Sequence, residues 1–285
     1  MDTKTTGEDR KYKLTADELS HWNDNGYFVR LDVFTKEEND VLRQIADDIA
    51  VGKIPFPASH INQNALVMEG EVEKTGIHAM HKIHHASCYN RDFLARTRDP
   101  RLVGPVIDLI GPDIVGLNNL YIWKAPEIGL GFPWHQDRWY FNHSFKTDKT
   151  VGTWTAIDDA DRDNGCLYVI PGSHKGKIYD HYDLEGPQQG EFKLARGARD
   201  EDGVAVEVPA GAVIWFDNGL LHKSTDNHSQ RFRRASVAHY ITATAEWARP
   251  NVDMSKRPMM WIRGKTYPGK VDQIEQDVIP IPESE

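Results

Sequence analysis

Val204-Ala-Val-Glu-Val-Pro-Ala-Gly-Ala-Val-Ile-Trp-Phe216 holds two β-rich runs, 204–208 and 212–216, joined by a Pro209-Ala-Gly211 turn signal. The same texture extends outward on both sides. Runs of β-formers occupy 114–125, 150–158, 166–170 and 231–242, with further turn signals at Asn164-Gly165 and Pro171-Gly172. Many short strands without alternating helices argue for an antiparallel barrel or a double-sheet jelly roll. The fold class expected is therefore mainly β with α, a jelly-roll core carrying its helices on the outside.

Upstream of residue 113 the texture is helical. Thr15-Ala-Asp-Glu18 and Thr35-Lys-Glu-Glu38 are capping boxes, and the second opens an apolar stripe of Val41, Leu42, Ile45 and Ile49. Gly26 is placed to stop the first helix, and Gly26-Tyr-Phe-Val-Arg-Leu31 reads as a strand. Residues 53–76, rich in Pro, Gly, Asn and Glu, read as loop. Asp99-Pro100 opens a further helix, since proline suits a first turn whose N–H is unpaired anyway, and Gly111-Pro112 closes it. The stretch 183–203 is Gly-, Gln- and charge-rich and reads as a long loop, a candidate lid. No repeat or boundary divides the chain. Residues 1–285 read as one domain: 1–112 mostly helical, 113–245 the jelly-roll core, 246–285 a C-terminal extension.

The bulk composition narrows the function. With 285 residues, 39% hydrophobic and 27% charged, the chain can bury a sizeable core without staples. A formal charge of −9 argues against a nucleic-acid or membrane-surface binder, both of which want positive fields. An anionic small molecule would have to be received by locally placed Arg or Lys. Cys88 and Cys166 are too few for a disulfide framework. The N-terminus lacks an apolar signal region, the C-terminus is not Ser-Lys-Leu, and no run of about 18 apolar residues occurs. A cytoplasmic location is expected.

Chemistry concentrates around Trp134-His135-Gln136-Asp137. On an extended strand, residues two apart share a face, so His135 and Asp137 can converge on one metal. His222, 85 residues after Asp137 (222 − 137), offers a third ligand in Gly219-Leu-Leu-His222. Two imidazoles and one carboxylate form a facial triad, which leaves positions open on Fe(II) for a bidentate co-substrate and O2. One of 13 histidines falling two before an aspartate is weak evidence by itself; the distal histidine strengthens it. A 2-oxo acid with a remote carboxylate needs a guanidinium, and Arg231, Arg233 and Arg234 all follow His222. Strand alternation leaves these three open: Arg233 shares a face with Ala235 and Val237, Arg234 with Ser236 and Ala238.

Six motifs in fixed order resemble the phytanoyl-CoA dioxygenase family: Leu109-Ile-Gly-Pro-Asp113, Pro133-Trp-His-Gln-Asp137, Thr153-Trp-Thr-Ala156, Asn164-Gly-Cys-Leu167, Pro171-Gly-Ser-His-Lys175 and Phe232-Arg-Arg-Ala235. The resemblance spans about residues 14 to 245. It implies a double-stranded β-helix oxygenase using Fe(II), 2-oxoglutarate and O2, with ascorbate as a supporting reductant. By position, His135, Asp137 and His222 match the iron ligands. The family's 2-oxoglutarate arginine lies 11 residues beyond the distal histidine, which selects Arg233 (222 + 11). Ser224, Lys82 and Trp154 match residues that contact or line the co-substrate. The implied reaction oxidises a C–H of a small organic or acyl-type substrate, most simply by hydroxylation, and releases succinate and CO2. Asp137 stands where related halogenases carry a small residue, which favours hydroxylation or a related oxidation.

Other features get plainer readings. Asn164-Gly165 reads as a tight turn and Pro171-Gly-Ser-His174 as another, so His174 is not taken as a ligand. His78, His81, His84 and His85 are read as a partly exposed strand or loop rather than a second metal site. Of Trp139, Tyr140 and Phe141, at least one is expected to face the substrate. Two rival functions remain: a non-catalytic binding module on the same barrel, and a cupin-type Zn or Ni enzyme that needs no arginine at 233.

Overall fold

The computed structural model describes residues 11–185, 193–254 and 257–281. Thr15 and Thr35 do cap helices, α1 (Ala16–Asn25) and α2 (Lys36–Ala50). Each threonine hydroxyl accepts the N–H three residues on, and each glutamate there accepts the threonine N–H. Gly26, with φ 83°, ends α1 in the left-handed region, and β1 (Tyr27–Arg30) follows. Residues 53–76 are not all loop. They contain a short strand, Ile61–Gln63, and a helical turn, Ala65–Met68; the strand pairs with β2 (Met80–His84), a partner about 20 residues away that local composition does not reveal. Helix α3 (Pro100–Ile110) begins at the Asp99 cap and closes at Gly111.

Ten further segments complete the core: β3 (Ile114–Lys124), β4 (Phe132–His135), α4 (Asp137–Phe141), β5 (Thr150–Ala156), β6 (Leu167–Val169), β7 (Val204–Val206), β8 (Val213–Asp217), β9 (His222–Ser224), β10 (Arg233–Thr242) and β11 (Met259–Arg263). The larger sheet runs β1-β8-β5-β10-β3-β11, with β2 also pairing β3 and Ile274–Glu275 beyond β11. The smaller sheet runs β7-β6-β9-β4, all antiparallel. The architecture is a cupin-like jelly roll whose sheets do not close into a continuous barrel.

Alternation along β8 shows how the layers are built. Val213 and Trp215 point to the helix side, where they pack with Leu102, Val103 and Val106 of α3, and the Trp215 indole donates to the Leu102 carbonyl at 3.1 Å. Ile214 and Phe216 point inward, where they meet Trp154 and Val237 of the same sheet and Val169 and Val206 of the smaller one. The larger sheet is thus covered on both faces, and the cleft between the two sheets is where β4, β9 and β10 bring their inward side chains together. The N-terminal part is not only a helical cover, because β1 and β2 extend the larger sheet. The C-terminal extension likewise contributes β11. Among the described residues no helix is long and apolar enough to cross a membrane.

Candidate active site

Strands β4 and β9 are neighbours in the smaller sheet, and their register places His222 directly opposite His135. Asp137 joins them, but not from the same strand. β4 ends at His135, and Asp137 is the first residue of α4. Gln136 between them stays extended (φ −126°, ψ 120°), so the two side chains still emerge on one side. The strand ends there because Gln136 is drawn into a buried network. Its amide donates to the Gly219 carbonyl at 2.7 Å and accepts from the Tyr179 N–H at 2.8 Å. The Gln136 N–H donates to His181 Nε2 at 2.9 Å, and the Arg138 N–H to the Asn218 carbonyl at 2.7 Å.

The ligand atoms of His135, Asp137 and His222 all lie within 4.8 Å of one another, an arrangement that could hold a metal ion. His135 Nδ1 is 2.7 Å from the Pro133 carbonyl and His222 Nδ1 is 3.0 Å from the Leu220 carbonyl. Each contact assigns the ring proton to Nδ1 and leaves the Nε2 lone pair facing inward. Burial pushes His135 down to about 3 and His222 to about 4, so both imidazoles are uncharged at neutral pH. A third imidazole, His239 on β10, places Nδ1 3.6 Å from Asp137 Oδ2, and burial lowers its pKa too. Asp137 Oδ2 has no hydrogen-bond partner. A largely buried carboxylate among neutral rings calls for a cation, and an N,N,O donor set suits a divalent transition metal.

Two adjoining cavities meet at these residues. The smaller, of about 60 Å3, is lined by Arg233, Trp154, Ser224 and His222. Arg233 is 1% exposed, and burial pushes its pKa down to about 10. Its Nε donates to the Gly165 carbonyl at 3.0 Å, its guanidinium carbon lies 5.4 Å from the Trp154 ring centroid, and Nη1 has no partner. An unpaired buried guanidinium nitrogen fits a missing carboxylate. Arg231 is exposed with Asp161, and Arg234 pairs with Asp158 and Asp47, so the three competing arginines separate by environment. The larger cavity, of about 240 Å3, takes in Lys82, Tyr140 and Phe141; both cavities share His135, Asp137, His239, Leu120 and Phe132. Ser224 is 4% exposed, and Lys82, also buried, opens into the larger cavity.

Several residues at the site escaped the sequence reading. His239 lies on the inward face that Arg233, Ala235 and Val237 define, and following that alternation one step further would have found it. Lys124, at the end of β3, is wholly buried, donates to the Thr225 carbonyl and sits opposite Arg233 in the register. Its nitrogen and that of Lys82 each lie 5.8 Å from the Phe132 ring centroid. Burial, with Arg233 beside it, holds Lys124 well below the usual lysine range. No local pattern marked it apart from the strand around it. The Gly165 turn does have φ 87°, and a Cβ there would collide with the Thr225 carbonyl; its further role is to aim a carbonyl at Arg233. His81 and His85 are buried, not partly exposed: β2 threads under the site rather than across the surface. Trp139 stacks on His181, with ring centroids 4.8 Å apart. Of the lid candidate 183–203, residues 186–192 lie outside the described residues. Its described flank is tied down, Asp200 accepting from the Trp134 indole at 2.6 Å.

The sequence profile of the phytanoyl-CoA dioxygenase (PhyH) family matches residues 22–235. The chain belongs to the phytanoyl-CoA dioxygenase family. Within that family, a probable phytanoyl-CoA dioxygenase of Caenorhabditis elegans is 29% identical over 245 residues, covering 80% of this chain and 75% of the nematode protein. The peroxisomal phytanoyl-CoA dioxygenase of Mus musculus is 34% identical over 148 residues, 50% of this chain and only 43% of the mouse protein. The match therefore spans less than half of the mouse protein. The fold also matches the crystal structure of EctD from S. alaskensis with 2-oxoglutarate and 5-hydroxyectoine, with a TM-score of 0.67 at 20% identity, over 93% of this chain and 88% of EctD. This family member is an oxidoreductase, an iron- and 2-oxoglutarate-dependent dioxygenase.

Proposed function

We propose that His135, Asp137 and His222 hold Fe(II), that Arg233 anchors the remote carboxylate of 2-oxoglutarate, and that a small organic substrate is oxidised in the larger cavity. The observation that carries this reading is one pairing of unmet needs: the unpartnered Asp137 oxygen among neutral imidazoles, and the unpartnered Arg233 nitrogen in the adjoining chamber.

When bound, iron and 2-oxoglutarate supply the oxidation: O2 is consumed, the oxo acid becomes succinate and CO2, and one substrate C–H becomes C–OH. The protein's own part is placement and exclusion of water. The Pro133 and Leu220 carbonyls keep the two imidazoles in the tautomer that presents Nε2 to a metal. Gln136 and His181 fix the turn that separates the first two ligands. The Gly165 carbonyl and the Trp154 ring orient the guanidinium of Arg233, with Ser224 on the same wall. Lys82 opens into the larger cavity, its nitrogen 5.8 Å from the Phe132 ring that lines both chambers. Phe132 and Leu120 line both chambers and keep the meeting point apolar. Ascorbate would serve only to keep the metal reduced.

The test is succinate formation by anaerobically prepared protein supplied with Fe(II), ascorbate, 2-oxoglutarate and O2. Wild-type protein should release succinate even without added substrate, and Arg233→Ala should release at least ten-fold less at limiting 2-oxoglutarate. Equal succinate from both proteins would remove Arg233 from its role.

A further inference from the structure

We infer that the substrate is a small organic anion, a carboxylate or phosphonate, whose charged end is received by Arg257 at the rim of the larger cavity. The inference rests on the oxygenase reading and names the substrate class of that same site.

Charge is the first observation. Over the whole chain acids outnumber bases, 43 to 34, so a wall of average composition would be acidic. The wall of this cavity is the reverse. Among the described residues Lys82 and Arg257 are its lysine and arginine side chains, and its only carboxylate is Asp137, already facing the imidazoles of the triad. Arg257 is exposed, forms no ion pair among the described residues, and still lines the cavity. A guanidinium in that position can offer two parallel hydrogen bonds to an incoming acid group.

The second observation is a built polar wall beside it. His85 is 5% exposed and adopts φ 56°, in the left-handed region. Burial pushes its pKa down to about 3, so the ring is uncharged at neutral pH, and Nδ1 has no hydrogen-bond partner. His85 thus places a buried, uncharged ring in the wall of the cavity. An uncharged ring there adds polarity without competing charge and leaves the acid group to Arg257. His84, beside it, lines the same wall.

Size and lining complete the class. A cavity of about 240 Å3 has room for a small acid. The remaining lining is aliphatic and aromatic, including Leu117, Phe141, Phe145 and Met254, and suits a short hydrocarbon portion held between Arg257 and the metal ligands.

The experiment uses anaerobic protein loaded with Fe(II) and saturating 2-oxoglutarate, so that Arg233 is already occupied. Hexanoate, pentylphosphonate and the neutral hexanamide are titrated by ligand-observed NMR, reading the broadening of their signals. At least one of the two anions should bind ten-fold or more tightly than hexanamide, and the tighter one identifies the headgroup. Arg257→Gln should abolish that preference and Arg257→Lys should restore part of it. Equal affinity for anions and amide in wild-type protein would overturn the inference, and so would a preference that survives in Arg257→Gln. Failure of 2-oxoglutarate itself to bind the iron-loaded protein is a separate outcome; it would sink the oxygenase reading and this inference with it.

Discussion

His222 pairs directly across the β4–β9 ladder from His135, and their ring centroids lie 4.1 Å apart. Two imidazoles that close, both uncharged and each pinned by the carbonyl two residues before it, form a site prepared before any metal arrives. Metal binding should therefore stabilise the fold rather than reorganise it. Fe(II) or Mn(II) at about 100 times its dissociation constant adds about 2.7 kcal/mol. Differential scanning fluorimetry should show a rise in Tm on metal addition for wild-type protein and none for Asp137→Ala. A rise of equal size in both would show that the metal binds elsewhere.

His181 is expected to act on the metal through Gln136. It accepts the Gln136 N–H and is itself held by the Tyr179 carbonyl at 2.8 Å. His181→Leu leaves a buried N–H without a partner at the turn between two ligands. Iron affinity, measured by competition with a chelator, should fall about 10- to 100-fold, the usual range for such supporting groups. The far-UV circular dichroism should be unchanged. Undiminished affinity would reduce His181 to a packing residue.

Gly165→Ala should strike the co-substrate and spare the metal. The added methyl meets the Thr225 carbonyl, and the positive φ is strained for alanine. Both effects move the carbonyl that orients Arg233. The KM for 2-oxoglutarate should rise at least ten-fold with Fe(II) affinity unaltered. A loss of Fe(II) affinity of the same size would place the damage in the whole fold.

The helices and strands were legible where short-range chemistry decides them. Thr15, Thr35 and Asp99 each cap the helix that their neighbouring residues announce, and the β-runs of the core fall within a few residues of the observed strands. What the sequence concealed depends on partners far along the chain. Asp137 sits on a helix because Gln136 finds Gly219 and Tyr179. Lys124 becomes a buried cation because β3 pairs with the start of β10. Arg233 was singled out by resemblance, since alternation alone gives Arg233 and Arg234 equal standing. The physical distinction is tertiary: Arg234 has two carboxylates and Arg233 has none.

Acid should weaken the fold through the buried histidines. Burial holds His84 and His85 near 3 in the folded chain, against about 6.5 when unfolded. Their folded pKa values are depressed, so their contribution is complete above pH 6.5 and is lost as pH falls toward 3. Each uncharged buried ring steepens the loss by up to about 1.4 kcal/mol per pH unit in that window. Urea unfolding of metal-free protein should show a lower midpoint at pH 5 than at pH 7.5. His84→Gln should make the difference smaller. A pH-independent midpoint would mean that these rings are not buried and neutral in solution.

The measurement to make first is an anaerobic absorption titration of 2-oxoglutarate into the Fe(II)-loaded protein. Chelation of the metal by an oxo acid produces a visible charge-transfer band, so binding is read without any substrate. Wild-type protein should develop the band and saturate. Arg233→Gln should need at least ten-fold more 2-oxoglutarate, and Asp137→Ala should give no band. If iron binds to wild-type protein and no band forms at any 2-oxoglutarate concentration, the His135–Asp137–His222 centre is not an oxo-acid site, and the assignment of Arg233 falls with it.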